Sequence, residues 1–288
     1  MTPAFYDEIA RRLRAGQTLA IATLVERQGS APRDRGAKML VTASEIAFSL
    51  GGGAFEALVI EDAREAIRLG RGLEKSYRFT ESGEGATGMV CGGAVRVLIE
   101  VARPPAPLLV FGGGHVGREL IHLGVRLGFE VTVVEDRDRF LDPARYPDGV
   151  GRSLAGADYH EGLPEIPEGA FIAILTRCHR TDLAALRHSV GKGARYVGLI
   201  GSRRKIATLL ARARDLGSAP EALSVVHAPI GLSIGAETPA EIAVSIAAEM
   251  IAIRAASVAR RPSVRLEDRA VPVPVSRFPG RRSPDRSL

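Results

Sequence analysis

The stretch Leu108-Leu-Val-Phe-Gly-Gly-Gly-His-Val-Gly117 decides the fold. Its first four residues read as an apolar strand. Gly112, Gly114 and Gly117 follow directly, with G-x-G-x-x-G spacing, and open an amphipathic helix over His115–Leu127. Gly112 allows the tight turn, Gly114 lets backbone approach a pyrophosphate, and Gly117 permits close helix–strand packing. The helix start offers orphan N–H groups and a partial positive charge to a phosphate. His115 has two readings there, as a phosphate contact or as a cap. About 20 residues on, a second strand, Glu130–Val134, runs into Glu135-Asp136, where a dinucleotide-binding fold carries its ribose carboxylate. Glu135 is the better placed of the two because it directly follows Val134.

Working outward, strands and helices alternate. Strands are expected at Phe171–Leu175, Arg195–Ile200 and Val225-Val226, and helices at Arg180–Val190, Ser202–Leu216 and Pro239–Ile253. Such alternation means parallel strands with crossover helices, a doubly wound α/β sheet. The last helix has a capping box, with Thr238 at the N-cap, Pro239 at N1 and Glu241 at N3. Upstream, Arg103-Pro-Pro-Ala-Pro107 holds three prolines in five residues and reads as a linker. Before it, a helix over 4–14, strand candidates at Thr18–Val25, Lys38–Thr42, Ser44–Ser49, Leu73–Phe79 and Ala94–Val101, and a helix over Ala54–Leu69 make a smaller α+β part. The expected organisation is an α+β domain over 1–103, a Rossmann-like domain over 104–256, and a tail over 257–288.

Charge and cysteine usage narrow the class. The net charge of +6 would suit a nucleic-acid binder, but eight arginines against three acids place +5 of it in the proline-rich tail. The tail is expected to be disordered and solvated, and the rest nearly neutral, so no nucleic-acid partner is expected. No apolar run approaches the roughly 20 residues of a membrane helix, and the first ten residues carry no signal-peptide pattern. Cys91 and Cys178 make no disulfide framework, so a reduced, cytoplasmic setting is expected.

Candidate site residues fall in loops. Gly198-Leu-Ile-Gly-Ser-Arg-Arg-Lys205 supplies Ser202 as an N-cap and then sets Arg203, Arg204 and Lys205 in the first helical turn, against the helix dipole. Either an anion binds there or the charges are simply solvated. Thr176-Arg-Cys-His-Arg-Thr-Asp182 follows a strand's carboxyl end, where open α/β sheets bind ligands, which nominates His179 and Asp182. In the first part, Gly29-Ser-Ala-Pro-Arg-Asp-Arg-Gly-Ala-Lys-Met39 presents Arg33 and Lys38 around a bend suited to an oxyanion. Gly51-Gly-Gly53 with Glu56, and Met89-Val-Cys-Gly-Gly93, are two further glycine loops. Cys91 reads either as a small buried residue or as a soft ligand.

Taken together, Gly-Ser-x-Pro-Arg33, Gly-Ala-Lys38-Met39, Gly51-Gly-Gly53 with Glu56, Cys91-Gly-Gly93, Val110-Phe-Gly-Gly-Gly-His-Val-Gly117, Gly198–Lys205 and Pro229-Ile-Gly-Leu-Ser-Ile-Gly-Ala-Glu-Thr-Pro-Ala-Glu-Ile-Ala243 resemble the XdhC/CoxI family. That family comprises accessory proteins of xanthine dehydrogenase and related molybdenum hydroxylases. The resemblance runs from about residue 5 to 256. The chain departs from it at Thr176-Arg-Cys-His179, where the family often has a Thr-His-x-His-like segment. The resemblance implies a chaperone and not a catalyst. Such a protein binds the molybdenum cofactor, holds it while a cysteine desulfurase supplies the sulfido ligand, and passes it to the hydroxylase. The implied cofactor contacts are Cys91 near the metal, and Arg33, Lys38, Gly112, Gly114, His115, Gly117, Glu135, His179, Ser202 and Arg203 toward its anionic parts, in a protein expected to be a homodimer. The competing reading is an NAD(P)-dependent oxidoreductase on the same Rossmann loop; against it, the chain has no Tyr-x-x-x-Lys.

Overall fold

A computed structural model describes residues 2–79 and 93–256. The tail expectation for 257–288 and the position of Cys91 lie outside the described residues.

The first part is an antiparallel sheet with a helix on each face. It comprises α1 (Pro3–Arg14), β1 (Leu19–Gln28), β2 (Lys38–Val41), β3 (Ile46–Phe48), α2 (Gly53–Leu69), β4 (Leu73–Arg78) and β5 (Ala94–Ala102). The strand order is β3-β2-β1-β5-β4. Side chains alternate along β1, as period-two geometry requires. Ala20, Ala22 and Leu24 pack under α2 with Phe55, Val59, Ala63 and Ala66. Leu19 and Ile21 face the other way and meet Phe5, Ile9 and Leu13 of α1. Small alanines on β1 let the helix lie close; the bulk comes from Phe55, Tyr77 and Phe79, whose rings meet edge to face.

The second part is a parallel sheet wound in both directions. Its elements are β6 (Pro107–Phe111), α3 (His115–Arg126), β7 (Glu130–Glu135), β8 (Gly151–Leu154), β9 (Phe171–Ile174), α4 (His179–Ser189), β10 (Tyr196–Leu199), α5 (Arg203–Asp215), α6 (Pro220–Leu223), β11 (Val226–His227) and α7 (Pro239–Ala256). Two 3₁₀ turns, Asp138–Phe140 and Pro143–Arg145, stand between β7 and β8. The order β11-β10-β9-β6-β7-β8 reverses direction between β6 and β9, and every neighbouring pair is parallel. α3 and α7 cover one face through Leu120, Ile121, Ile246 and Met250. α4 and α5 cover the other through Leu186, Ile206 and Leu209. The expected mixed architecture, a doubly wound sheet after a smaller α+β part, is the one observed.

Some details differ from expectation. β8 has no counterpart in the apolar pattern, because its residues Gly-Arg-Ser-Leu form an edge strand with Leu154 exposed. β11 starts one residue later than expected. Pro107 belongs to β6, paired with Glu130, and not to the linker. A first strand residue is one of the few sheet positions that tolerate a missing N–H. The capping box of α7 forms: the Thr238 hydroxyl accepts the Glu241 N–H at 3.3 Å, and Glu241 accepts the Thr238 N–H at 2.9 Å.

Candidate functional site

The carboxyl edge of the parallel sheet brings four junctions together. The turn after β6 is tight. Gly112 has φ of +109°, and a Cβ there would stand 2.5 Å from the Leu175 carbonyl oxygen, so this turn abuts the one after β9. At Gly117 a Cβ would lie 1.9 Å from the Gly112 oxygen, which ties α3 to its own loop. Gly114 has open space where a side chain would project. It is also the N-cap of α3, and His115 stands exposed at the first helical position. His115 therefore does not cap the helix.

The middle glycine is covered. A Cβ on Gly113 would meet the Tyr146 hydroxyl at 2.5 Å, and the Gly113 carbonyl accepts from Arg145 at 3.1 Å. Glu135, at the expected ribose position, is wholly buried. Its Oε2 accepts the Gly113 N–H at 2.9 Å, and Arg137 binds both oxygens at 2.8 and 3.1 Å. The Arg137 guanidinium lies 4.0 Å over the Phe140 ring. Next to it, Asp136 is clasped by Arg177 from the β9–α4 turn. Burial alone would raise the Asp136 carboxyl, but Arg177 and further hydrogen bonds hold it below the usual carboxylate range.

The turns after β9 and β10 form one unit. Cys178 is the N-cap of α4 in a capping box with Thr181, and hydrogen bonds from the Thr181 side chain and backbone hold its thiol below its ordinary pKa. His179 follows, exposed, at N1. Asp182 is fully buried; Thr176 donates to one oxygen and Lys205 of α5 stands 2.6 Å from the other. Ser202 is the N-cap of α5 and accepts the Lys205 N–H at 3.4 Å, with Arg203 exposed beside it. His179 and Ser202 line one cavity of about 450 Å³ together with Arg204, Lys205, Thr208 and Arg212. His115 lines another, of about 400 Å³, with Arg118, Arg145 and Thr238.

In the first part the glycine loops converge. A Cβ on Gly51 would meet the Pro32 ring at 2.5 Å, and one on Gly93 would stand 2.0 Å from the Ser30 oxygen. The loop carrying Arg33 is thus in contact with both other glycine loops, and Gly93 is two residues from Cys91 in sequence. Glu56 organises the Gly51–Gly53 turn by accepting from the Ser49 hydroxyl and from the Leu50 and Gly52 N–H groups at 2.6–3.1 Å. Arg33 is exposed. Lys38 is half-buried and donates to Thr23 at 2.6 Å, an anchoring bond within the sheet. Among the described residues, no hydrogen bond or ion pair joins Arg33 or Lys38 to the parallel sheet, so the expected contacts fall into two groups. Sequence reasoning missed Arg137, which binds Glu135 two residues away, Tyr146, which donates to the Phe140 carbonyl, and Arg145 and Arg177, which reach Gly113 and Asp136 from loops distant in sequence. Among the described residues no three His, Cys, Asp or Glu side chains cluster as a metal site, and no helix is long and apolar enough to cross a membrane.

Comparisons with known proteins agree with this architecture. A family model described as the XdhC Rossmann domain matches residues 108–250, and one described as the XdhC and CoxI family matches residues 12–78. The Escherichia coli (strain K12) protein YqeB, described as uncharacterized, is 34% identical over 254 residues, 86% of this chain and 46% of that protein. A Bacillus subtilis (strain 168) protein described as a probable xanthine dehydrogenase subunit is 30% identical over 161 residues, 55% of this chain and 46% of that protein. This chain thus spans about half the length of both. The Escherichia coli (strain K12) molybdenum cofactor insertion chaperone PaoD is 25% identical over 279 residues, 84% of this chain and 85% of that protein. With both models matched in chain order over well more than half of its residues, the chain belongs to the XdhC/CoxI family.

Proposed function

We propose that this chain is an accessory protein that binds the molybdenum cofactor, supports its sulfuration by a cysteine desulfurase, and inserts it into xanthine dehydrogenase or a related molybdenum hydroxylase. The observation that carries the reading is the closure of the Gly93 backbone on Ser30, beside Pro32 and Gly51. It sets Gly93, two residues after Cys91 in sequence, against the loop that exposes Arg33. A soft thiolate close in sequence to Gly93, and a cation on the loop that Gly93 touches, match a cargo with a thiophilic metal at one end and a phosphate at the other. The descriptions of PaoD as a molybdenum cofactor insertion chaperone and of the Bacillus subtilis relative as a probable xanthine dehydrogenase subunit support the same reading. A homodimer in a cytoplasmic setting completes it.

Ordinary dinucleotide binding fits the residues less well. Gly113 lies under Tyr146, and the Glu135 carboxylate that would take ribose hydroxyls is spent on Gly113 and Arg137. The test is transfer: protein purified from a molybdenum-replete host is mixed with a cofactor-free molybdenum hydroxylase and activity is followed. Reactivation that depends on Cys91 supports the proposal; no reactivation, with no pterin retained, overturns it.

A further inference from the structure

We propose that the phosphate-binding site of the parallel sheet is the cavity between α4 and α5, fed by the β10–α5 turn, and that the fingerprint glycine loop after β6 serves packing. The site is cationic at every scale. The first turn of α5 carries Arg203, Arg204 and Lys205 with no acidic residue, in opposition to the helix dipole. Lys205 is balanced by buried Asp182. Arg203, Arg204 and Arg212 are exposed and make no ion pair among the described residues. Other arginines of the chain are matched to carboxylates, as in Arg12–Glu8, Arg96–Glu26 and Arg177–Asp136, whereas these three are not. Of these, Arg204 and Arg212 line a concavity of about 450 Å³, together with Lys205 and His179.

Geometry makes the cavity more than a helix end. Arg204, Thr208 and Arg212 lie four residues apart on one face of α5, so the two guanidiniums are rooted two turns apart, about 12 Å along the axis. His179, at the start of α4, lines the same cavity. A ligand in the groove meets a cation at each end and the α5 N-terminus at one of them. The glycine loop offers less: Gly113 is covered and the neighbouring carboxylate is enclosed. The ligand class is a small molecule bearing a phosphoryl or diphosphate group. This inference does not rest on the chaperone reading and survives its failure.

The test is calorimetric titration of the full chain with inorganic pyrophosphate at low salt, where screening is weak. Saturable binding is expected, at least tenfold weaker in Arg204→Glu/Arg212→Glu. The charge-matched Arg64→Glu/Arg126→Glu variant, at exposed positions elsewhere, is expected to bind like the parent. Circular dichroism of each variant confirms that it is folded. No saturable binding by the parent overturns the inference, as do equal losses in both double variants or retained binding in the first. A parallel titration with ADP separates the sources. Equal affinity assigns a bare diphosphate group, and tighter ADP binding assigns a nucleotide.

Discussion

Gly117→Ala and Gly114→Ala probe one loop with opposite expected outcomes. At Gly117 the added methyl would stand 1.9 Å from the Gly112 oxygen, a backbone atom that cannot rotate away. Reaching ordinary contact requires α3 and the β6 turn to part by about 1 Å or more, an overpacking change that costs roughly 2–3 kcal/mol. In a chain of this size that lowers Tm by roughly 5–10 °C. At Gly114 nothing lies within 4 Å, and φ of −66° with extended ψ is open to alanine. The cost there is the poorer N-cap, about 0.5 kcal/mol. Urea unfolding followed by circular dichroism reads both values. A Gly117→Ala variant as stable as the parent, or a Gly114→Ala variant as damaged as Gly117→Ala, refutes the reasoning that separates packing glycine from open glycine.

Other predictions follow from the same edge. Glu135→Ala leaves the Gly113 N–H without its buried acceptor and frees Arg137; it should cost about 3 kcal/mol in urea unfolding, and a loss under about 1 kcal/mol contradicts the anchoring role. The depressed carboxyls of Asp136 and Glu56 contribute stability above their unfolded pKa, near 4, that is lost as pH falls through their lower folded values. At Glu56 burial works against this, but the Ser49 hydroxyl and the loop N–H groups outweigh it. Unfolding free energy should drop below about pH 4, and Asp136→Asn should flatten that drop; an unchanged acid limb contradicts the pairing with Arg177. Alkylation mapped by mass spectrometry should show Cys178 reacting with a midpoint below the usual thiol value, and Thr181→Val should move that midpoint up. A Cys178 midpoint at or above that of a free thiol rules the capping bonds out as its cause.

Much of the fold was open to reading because the pattern was local. The strand–glycine–helix run at 108–117, the alternation after it, and the Thr238–Glu241 box each depend on residues within a few positions of one another. β8 was hidden because an exposed, polar, four-residue edge strand leaves no apolar trace. The site was legible in its positions and not in its orientations. The distance from Gly112 to Glu135 located the carboxylate, but that its oxygens turn inward depends on Gly113 and Arg137. The cover over Gly113 comes from Phe140 and Tyr146, beyond the next strand, and no spacing rule reaches that far. Lys38 looked like a free cation in a glycine loop; it opens β2, and Thr23 on the adjacent strand takes its ammonium.

The central claim is that this chain carries a molybdenum cofactor on its N-terminal loops. The direct measurement is pterin released by oxidation, together with molybdenum content, in protein purified from a molybdenum-replete host, beside Cys91→Ala purified identically. The account predicts pterin and molybdenum together in the parent and a several-fold loss of both in Cys91→Ala, with the urea midpoint unchanged. Protein that carries neither under these conditions, or a Cys91→Ala variant that retains both in full, contradicts it.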